Sequence, residues 1–285
     1  MRRSAPPGTV RPVARLLTLS SEHLHERFAM STVAVYSLKG GVGKSTVAVN
    51  LAYLSATLSG RRTLLWDLDA QGASGFLMNQ VPQTIGVHKV FSRDTPPSAH
   101  ITETADLQLD LLAADASLRQ LDVQLLEEEA RKRLRKLVRT LSTDYDVIVL
   151  DCPPGLTELS DQIFRAADVV VVPVPPSQLG LRAYLDVAEH VHRFFRDGPA
   201  VLPVFSMVDR RKRLHRDVVA AHPDWCTIPA ASIVEQMGVK QAPLPRFAPR
   251  HGATLAFVEL WASVVQTLAQ RAAPHRKSEA GAHAA

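Results

Sequence analysis

The chain has 285 residues, 46% of them hydrophobic, enough to bury a full core; one α/β domain is the simplest organisation consistent with that length. Its two cysteines, Cys152 and Cys226, are too few and too far apart for a disulfide framework or a zinc site, so a reducing, cytoplasmic setting is expected. The net charge of +5 favours polyanionic partners without choosing one, and no apolar run is expected to span a bilayer or serve as a secretory signal.

In chain order, residues 1–29 carry Arg2, Arg3, Arg11, Arg15 and Arg27 against Glu22 and Glu26 and show no sustained period. They predict a disordered leader, or an upstream start with Met30 as the natural initiator. Since this stretch carries most of the net positive charge, an argument for nucleic acid has to come from local clusters. From Met30 onward, short β-branched runs alternate with amphipathic stretches, the pattern of βαβ units. Strands are predicted over 32–38, 63–68, 108–113, 146–151, 168–173 and 200–207. Helices are predicted near 44–58, 117–141, 178–196, 214–221 and 254–271. The fold class is therefore α/β, a doubly wound, mostly parallel sheet with helices on both faces, as a single domain over 30–272 with a flexible tail at 273–285. Runs such as Val147-Ile148-Val149-Leu150 are apolar toward both faces, as a sheet covered on both sides requires. The leucines at 118, 121, 125, 134, 137 and 141 are expected on one helix that covers the sheet rather than on an interaction surface.

A doubly wound sheet binds its ligand at the carboxyl ends of its strands, where the chemical motifs also fall. Ser37-Leu38-Lys39-Gly40-Gly41-Val42-Gly43-Lys44-Ser45-Thr46 follows a strand and opens a helix. Its glycines let successive amides turn toward a phosphate, and the helix N-terminus adds partial positive charge. In such a loop Lys44 reaches the β and γ phosphates of ATP, Ser45 ligates Mg²⁺, and Thr46 adds a hydroxyl near the α-phosphate. Two further segments supply acids at strand ends: Asp67 and Asp69 in Trp66-Asp67-Leu68-Asp69-Ala70-Gln71-Gly72, and Asp151 in Leu150-Asp151-Cys152-Pro153-Pro154-Gly155. Asp151 ends a buried strand in the Walker B manner and is expected to hold Mg²⁺ through a water, with Gly155 near the γ-phosphate. Cys152 reads as a small buried residue.

The loop departs from the ordinary motif: Leu38 stands where its first glycine belongs, and Lys39 is added. K-G-G-x-G-K-[ST] resembles the deviant Walker A loop of the ParA/MinD family, dimerising P-loop ATPases. By that resemblance Lys39 reaches the partner subunit's nucleotide, Asp69 positions the hydrolytic water and Asp67 supports the magnesium shell, although the family often has proline where Ala70 stands. Residues 200–217 resemble the family's strand ending in T-M-x-D-R-R, which makes Ser206 and Met207 candidate contacts to the base. Ile228-Pro229 and Gln241-Ala242-Pro243 echo the I-P and E-A-P segments, with Gly238 at the place of a frequent arginine and Lys240 as a displaced substitute. The resemblance spans about 31–271.

Arg210, Arg211, Lys212, Arg213 and Arg216 form the strongest local basic cluster and are candidates for contacting DNA phosphates without regard to base. No helix-turn-helix module is evident before the ATPase core, so sequence-specific operator binding is not expected. What the resemblance implies is an ATP-dependent homodimer, cytoplasmic and nucleoid-associated, that binds nonspecific DNA and positions DNA or another large cargo. Hydrolysis would be stimulated by a ParB-like or other cargo adaptor. A MinD-like membrane switch is the alternative, but residues 276–285 offer no bulky apolar face for lipid, so no stable membrane association is expected. A reductase would need paired cluster cysteines and a small-molecule ligase further substrate motifs; neither is found.

Overall fold

The computed structural model describes residues 30–80, 86–92, 94–106, 108–121, 125 and 132–282; the expected leader lies outside the described residues. The described strands are β1 (Ser31–Val35), β2 (Thr63–Asp67), β3 (Ile101–Glu103), β4 (Leu109–Leu112), β5 (Val147–Asp151), β6 (Val169–Val174), β7 (Ala200–Val208) and β8 (Cys226–Pro229). They form one sheet in the order β3-β4-β2-β5-β1-β6-β7-β8. Every pairing is parallel except that of β3 with β4.

The helices are α1 (Lys44–Thr57), α2 (Ala73–Leu77), α3 (Lys89–Ser92), α4 (Arg133–Thr140), α5 (Glu158–Ala166), α6 (Gln178–Phe194), α7 (Arg213–Ala220), α8 (Ser232–Lys240), α9 (Leu244–Phe247) and α10 (Gly252–Ala282). Side chains alternate across the pleat, so each central strand feeds two cores. Val33, Val35, Val147 and Val149 pack with Leu51 of α1 and with Phe257 and Trp261 of α10. Ala34, Ile148 and Leu150 pack on the other face with Leu134 of α4, Phe164 of α5, Val187 of α6 and Val218 of α7. Burial on both faces is why these strands read as continuous apolar runs.

Several elements depart from the sequence expectation. β3 and β8 were not predicted, being short and of mixed composition, with Ile101, Thr102 and Cys226 only half-buried. Nor was α5, whose start is set by a reciprocal capping box between Thr157 and Ser160. The single helix expected over 117–141 is not formed: Ala116–Gln120 is a 3-10 turn, Leu125 and Lys132 lie in turns, and α4 begins at Arg133. Asp115 caps the 3-10 turn by accepting from the Ser117 amide, and it also accepts from the amides of Gly86 and Val87, tying the chain to a neighbouring loop. Residues 122–124 and 126–131 of that expected helix lie outside the described residues. Its leucines at 118, 121, 125, 134, 137 and 141 are nevertheless all buried, in the covering role expected of them.

The last helix runs to Ala282, past its expected end at 271 and through the segment expected to be a flexible tail, where alanine is frequent and favours helix. The expectation that no apolar run reaches membrane length is also corrected. Gly252–Ala272 has a window of mean hydropathy 1.3, sufficient by length and composition, and 56% of it is buried inside the protein. Phe257, Leu260, Trp261 and Val264 explain that composition, because they line the core beneath β8 and α1 rather than facing outward.

Candidate nucleotide site

The loop between β1 and α1 turns where Gly41 and Gly43 adopt left-handed backbone, at φ 71° and 89°, and Gly43 caps α1. Side-chain-bearing residues rarely take these angles, so the glycines are what permit the loop's curvature. Lys44 is buried at the helix start, its Nζ donating to the Lys39 carbonyl oxygen at 3.4 Å. A buried ammonium held by one backbone oxygen has unused donors, which fits it to phosphate.

The acids converge through strand register. Asp67 and Asp151 are direct partners across β2 and β5, and both are fully buried. Asp67 accepts from the amides of Asp69 and Ser74, each at 3.0 Å, and Asp151 Oδ2 accepts from the Ser74 hydroxyl at 2.8 Å. Asp151 Oδ1 has no hydrogen-bond partner. Burial first, then the neighbouring Asp151 charge, raises the Asp67 carboxyl well above its ordinary range. Burial likewise pushes Asp151 up to about 6, opposed by the Ser45 and Ser74 hydroxyls and by Lys44. Two buried carboxyls side by side, one with an orphaned oxygen, are what a divalent cation neutralises. Among the described residues no cluster of three or more His, Cys, Asp or Glu offers a complete protein cage. That suits magnesium, which keeps waters and takes phosphate oxygens beside a few protein ligands.

A cavity of about 580 Å³ opens at these strand ends. Gly40, Gly41, Gly43, Lys44, Ser45 and Thr46 form its phosphate-loop wall, and Asp69, Gln71 and Ala73 form a second wall. Phe76, Leu77, Pro154 and Met207 supply apolar surface fit for a base. Met207 reaches it because β7 bulges between Phe205 and Val208, which leaves Met207 at φ 55° and about half exposed. The same bulge turns Ser206 inward; it is buried, its hydroxyl has no partner, and it does not line the cavity. Val42 is buried behind the loop, and Asp67 and Asp151 lie beneath the cavity wall.

Lys39 stands outside the cavity, its Nζ donating to the Leu179 carbonyl oxygen at 3.0 Å. Gly155, at φ 95°, accepts at its carbonyl from the Tyr36 hydroxyl at 2.8 Å. Sequence reasoning missed Ser74, Tyr36 and Phe76; only Ser74 carried a signal, a hydroxyl at the start of the helix that follows the paired acids.

Arg210, Arg211, Lys212, Arg213 and Arg216 are all exposed where β7 leads into α7. They are not five free charges. Arg211 forms a bidentate pair with Asp209 at 2.9 and 3.0 Å, Arg213 lies 3.5 Å from Asp217, and Arg216 donates to the Arg210 and Arg211 carbonyls. The Arg211 hydrogen bonds hold the Asp209 carboxyl down at about 2.

A family model described as an AAA domain matches residues 30–197, more than half of the chain. The chain belongs to the ParA/MinD family of P-loop ATPases. The chain is 37% identical over 145 residues to the Myxococcus xanthus chromosome partitioning protein ParA, a match covering 50% of this chain and 51% of that protein. It is 34% identical over 194 residues to the Bacillus subtilis sporulation initiation inhibitor protein Soj, covering 66% and 76%. Among solved structures, a Cyanothece McdA variant in complex with ATP superposes with a TM-score of 0.71 at 18% identity, covering 83% of this chain and 96% of that one, which speaks for the fold alone. Cobyrinic acid a,c-diamide synthase from Mycobacterium smegmatis, with a bound ATP analog and magnesium, gives 0.66 at 26% identity over 83% and 95%. The fold is thus shared by an ATP-bound McdA and by cobyrinic acid a,c-diamide synthase.

Proposed function

We propose that this chain is a magnesium-dependent ATPase that dimerises on ATP, binds DNA without sequence preference, and segregates or positions DNA or another large cargo. Hydrolysis in this reading is stimulated by an adaptor protein and ends the DNA-bound state. The observation that carries it is Lys39: it stands at the edge of the cavity on a single backbone hydrogen bond, and its own cavity already has Lys44. A second lysine placed outside its own site is available to another subunit's phosphate. Asp151 and Ser45 would hold magnesium, with Asp67 supporting its shell, and the ion would neutralise charge on the β and γ phosphates. Asp69 would orient the attacking water. Met207 and Phe76 would lie against the base.

The DNA side rests on the exposed cluster at 210–216, which occurs twice in a dimer, so its contacts combine. Light scattering should show dimers with ATP and monomers with ADP, and Lys39→Ala should remain monomeric while still binding ATP. Anisotropy of a labelled random duplex should rise with ATP and much less with ADP, and Arg211→Ala with Arg213→Ala should weaken it and flatten its salt dependence. Equal binding in both nucleotide states would sink the ATP-gated mechanism. The likeness to cobyrinic acid a,c-diamide synthase favours a second reading, an ATP-using small-molecule ligase. Hydrolysis by the purified chain alone, with no acceptor, would count against that reading.

A further inference from the structure

The second basic surface of the molecule is α4. Lys132, Arg135, Lys136 and Arg139 follow the i, i+3, i+4, i+7 spacing of one helical face, and all four are exposed. The opposite face, Leu134, Leu137 and Val138, is buried in the core. α4 contains no acid, and among the described residues none of the four cations has a carboxylate within ion-pair distance, Asp168 acting on Arg135 only at longer range; the acids at 127–129 lie outside the described residues. In the cluster at 210–216, by contrast, Asp209 and Asp217 each engage an arginine.

Helix electrostatics do not account for this charge. The neighbouring α5 follows the helix dipole, with Glu158 and Asp161 in its first turn and Arg165 in its last. α4 has no acid in its first turn, and Lys132 and Arg135 sit at the end where the dipole disfavours cations. Only Arg139, in the last turn, gains from it.

We propose that the exposed face of α4 is a second contact surface for duplex DNA, engaging phosphates independently of the bound nucleotide. This rests on the DNA-binding reading above and adds a surface to it. Four cations along roughly 10 Å of helix match a polyanion of high linear charge density. Lipid fits poorly, because the apolar side of α4 is already committed to the core and the exposed side has no bulky apolar residue to insert. Independence from nucleotide follows from position. α4 leads into the end of β5 opposite Asp151 and lines no part of the cavity, whereas the 210–216 cluster begins just after the cavity-lining Met207. α4 and α7 pack on the same face of the sheet with α5 and α6 between them, roughly 30 Å apart at the usual spacing of packed helices, about one turn of duplex.

The test is anisotropy of a labelled random duplex with the full chain, in ATP and in ADP, across a salt series. Arg135→Gln with Arg139→Gln is compared with Arg211→Ala with Arg213→Ala, and Lys132→Gln with Lys136→Gln is a second α4 pair should the first fold poorly. ATP affinity and thermal midpoint serve as controls for folding. Each α4 pair is expected to lower the salt slope by about 1.8 per subunit, the value for two phosphate contacts, with ATP and with ADP alike. An α4 pair that binds like the parent, while the Arg211 and Arg213 pair loses DNA, overturns this surface and leaves the DNA reading standing. No binding by the parent chain in either state overturns both. Loss of binding to polyglutamate or to phosphatidylglycerol vesicles, with DNA binding unchanged, overturns DNA as the occupant of α4.

Discussion

The strand ends of β2 and β5 and the loop after β7 both concentrate charge, but in opposite physical settings. At the first, Asp67 and Asp151 are fully buried and register-paired, with one carboxylate oxygen unpartnered and Lys44 sealed beside them. At the second, every cation is exposed and two of them are paired with nearby acids, Arg211 with Asp209 and Arg213 with Asp217 one turn along α7. Buried charge is costly without a ligand and strongly responsive to one, while exposed charge is screened and changes little when any one partner is removed. The nucleotide site should therefore respond to single substitutions by orders of magnitude, and the basic loop by small increments.

The largest effect is expected at Lys44. Lys44→Ala removes the buried cation that faces the phosphates, and ATP binding measured by calorimetry should weaken by about 10²-fold or more. Asp69→Ala comes next, because in the proposed mechanism it removes only the group that orients water. ATP binding and dimerisation should persist, while single-turnover hydrolysis slows by about 10²-fold or more. Hydrolysis at the parental rate would remove Asp69 from the mechanism and blur the contrast between the two regions.

A smaller effect follows from the buried acids. Burial raises the Asp151 carboxyl from 3.8 to about 6, so the folded protein holds this proton more tightly than the unfolded chain. The stability this confers is fully present below about pH 4 and is lost as pH rises through 6. Asp67, raised in the same direction, adds to the trend. The thermal midpoint of the nucleotide-free protein should fall across that window, and magnesium with ATP should flatten the fall by neutralising the pair. A midpoint that rises between pH 4 and 6 would show that other carboxylates outweigh the buried pair.

The contrast between the regions also explains what was legible in the sequence. The phosphate loop is chemistry written in consecutive residues, so Gly40 to Thr46 could be read directly. The approach of Asp67 to Asp151 depends on β2–β5 register between residues far apart in the chain, and Ser74 joins them only once α2 has folded. β3 and β8 escaped notice because edge strands bury one side only and carry no long apolar run. Leucine spacing over 117–141 correctly indicated a buried stripe but not its continuity, since Ala116–Gln120 is a 3-10 turn, Leu125 and Lys132 lie in turns and α4 begins only at Arg133. In the basic loop, composition alone identified five cations; that Asp209 and Asp217 engage two of them required coordinates.

The smallest predicted effect tests that engagement. Asp209 holds Arg211 through two side-chain hydrogen bonds, and those same bonds keep its own carboxyl at about 2, so the pair is intact at every pH at which the protein would be assayed. A guanidinium committed to a carboxylate must exchange that partner for a DNA phosphate, and the exchange offsets most of the gain from the new contact. Asp209→Asn removes the competing charge while keeping an oxygen to accept from the Arg211 amide, which Asp209 also does at 3.0 Å. Duplex affinity with ATP should rise only a few-fold, and the salt slope should steepen by less than about 0.9 per subunit, the value for one full phosphate contact. ATP affinity should not change, since Asp209 lines no part of the nucleotide cavity. A fall in affinity would mean that Asp209 aims Arg211 at phosphate instead of competing for it. The exposed loop would then be preorganised in the manner of the buried site, and the physical distinction between the two regions would narrow to burial alone.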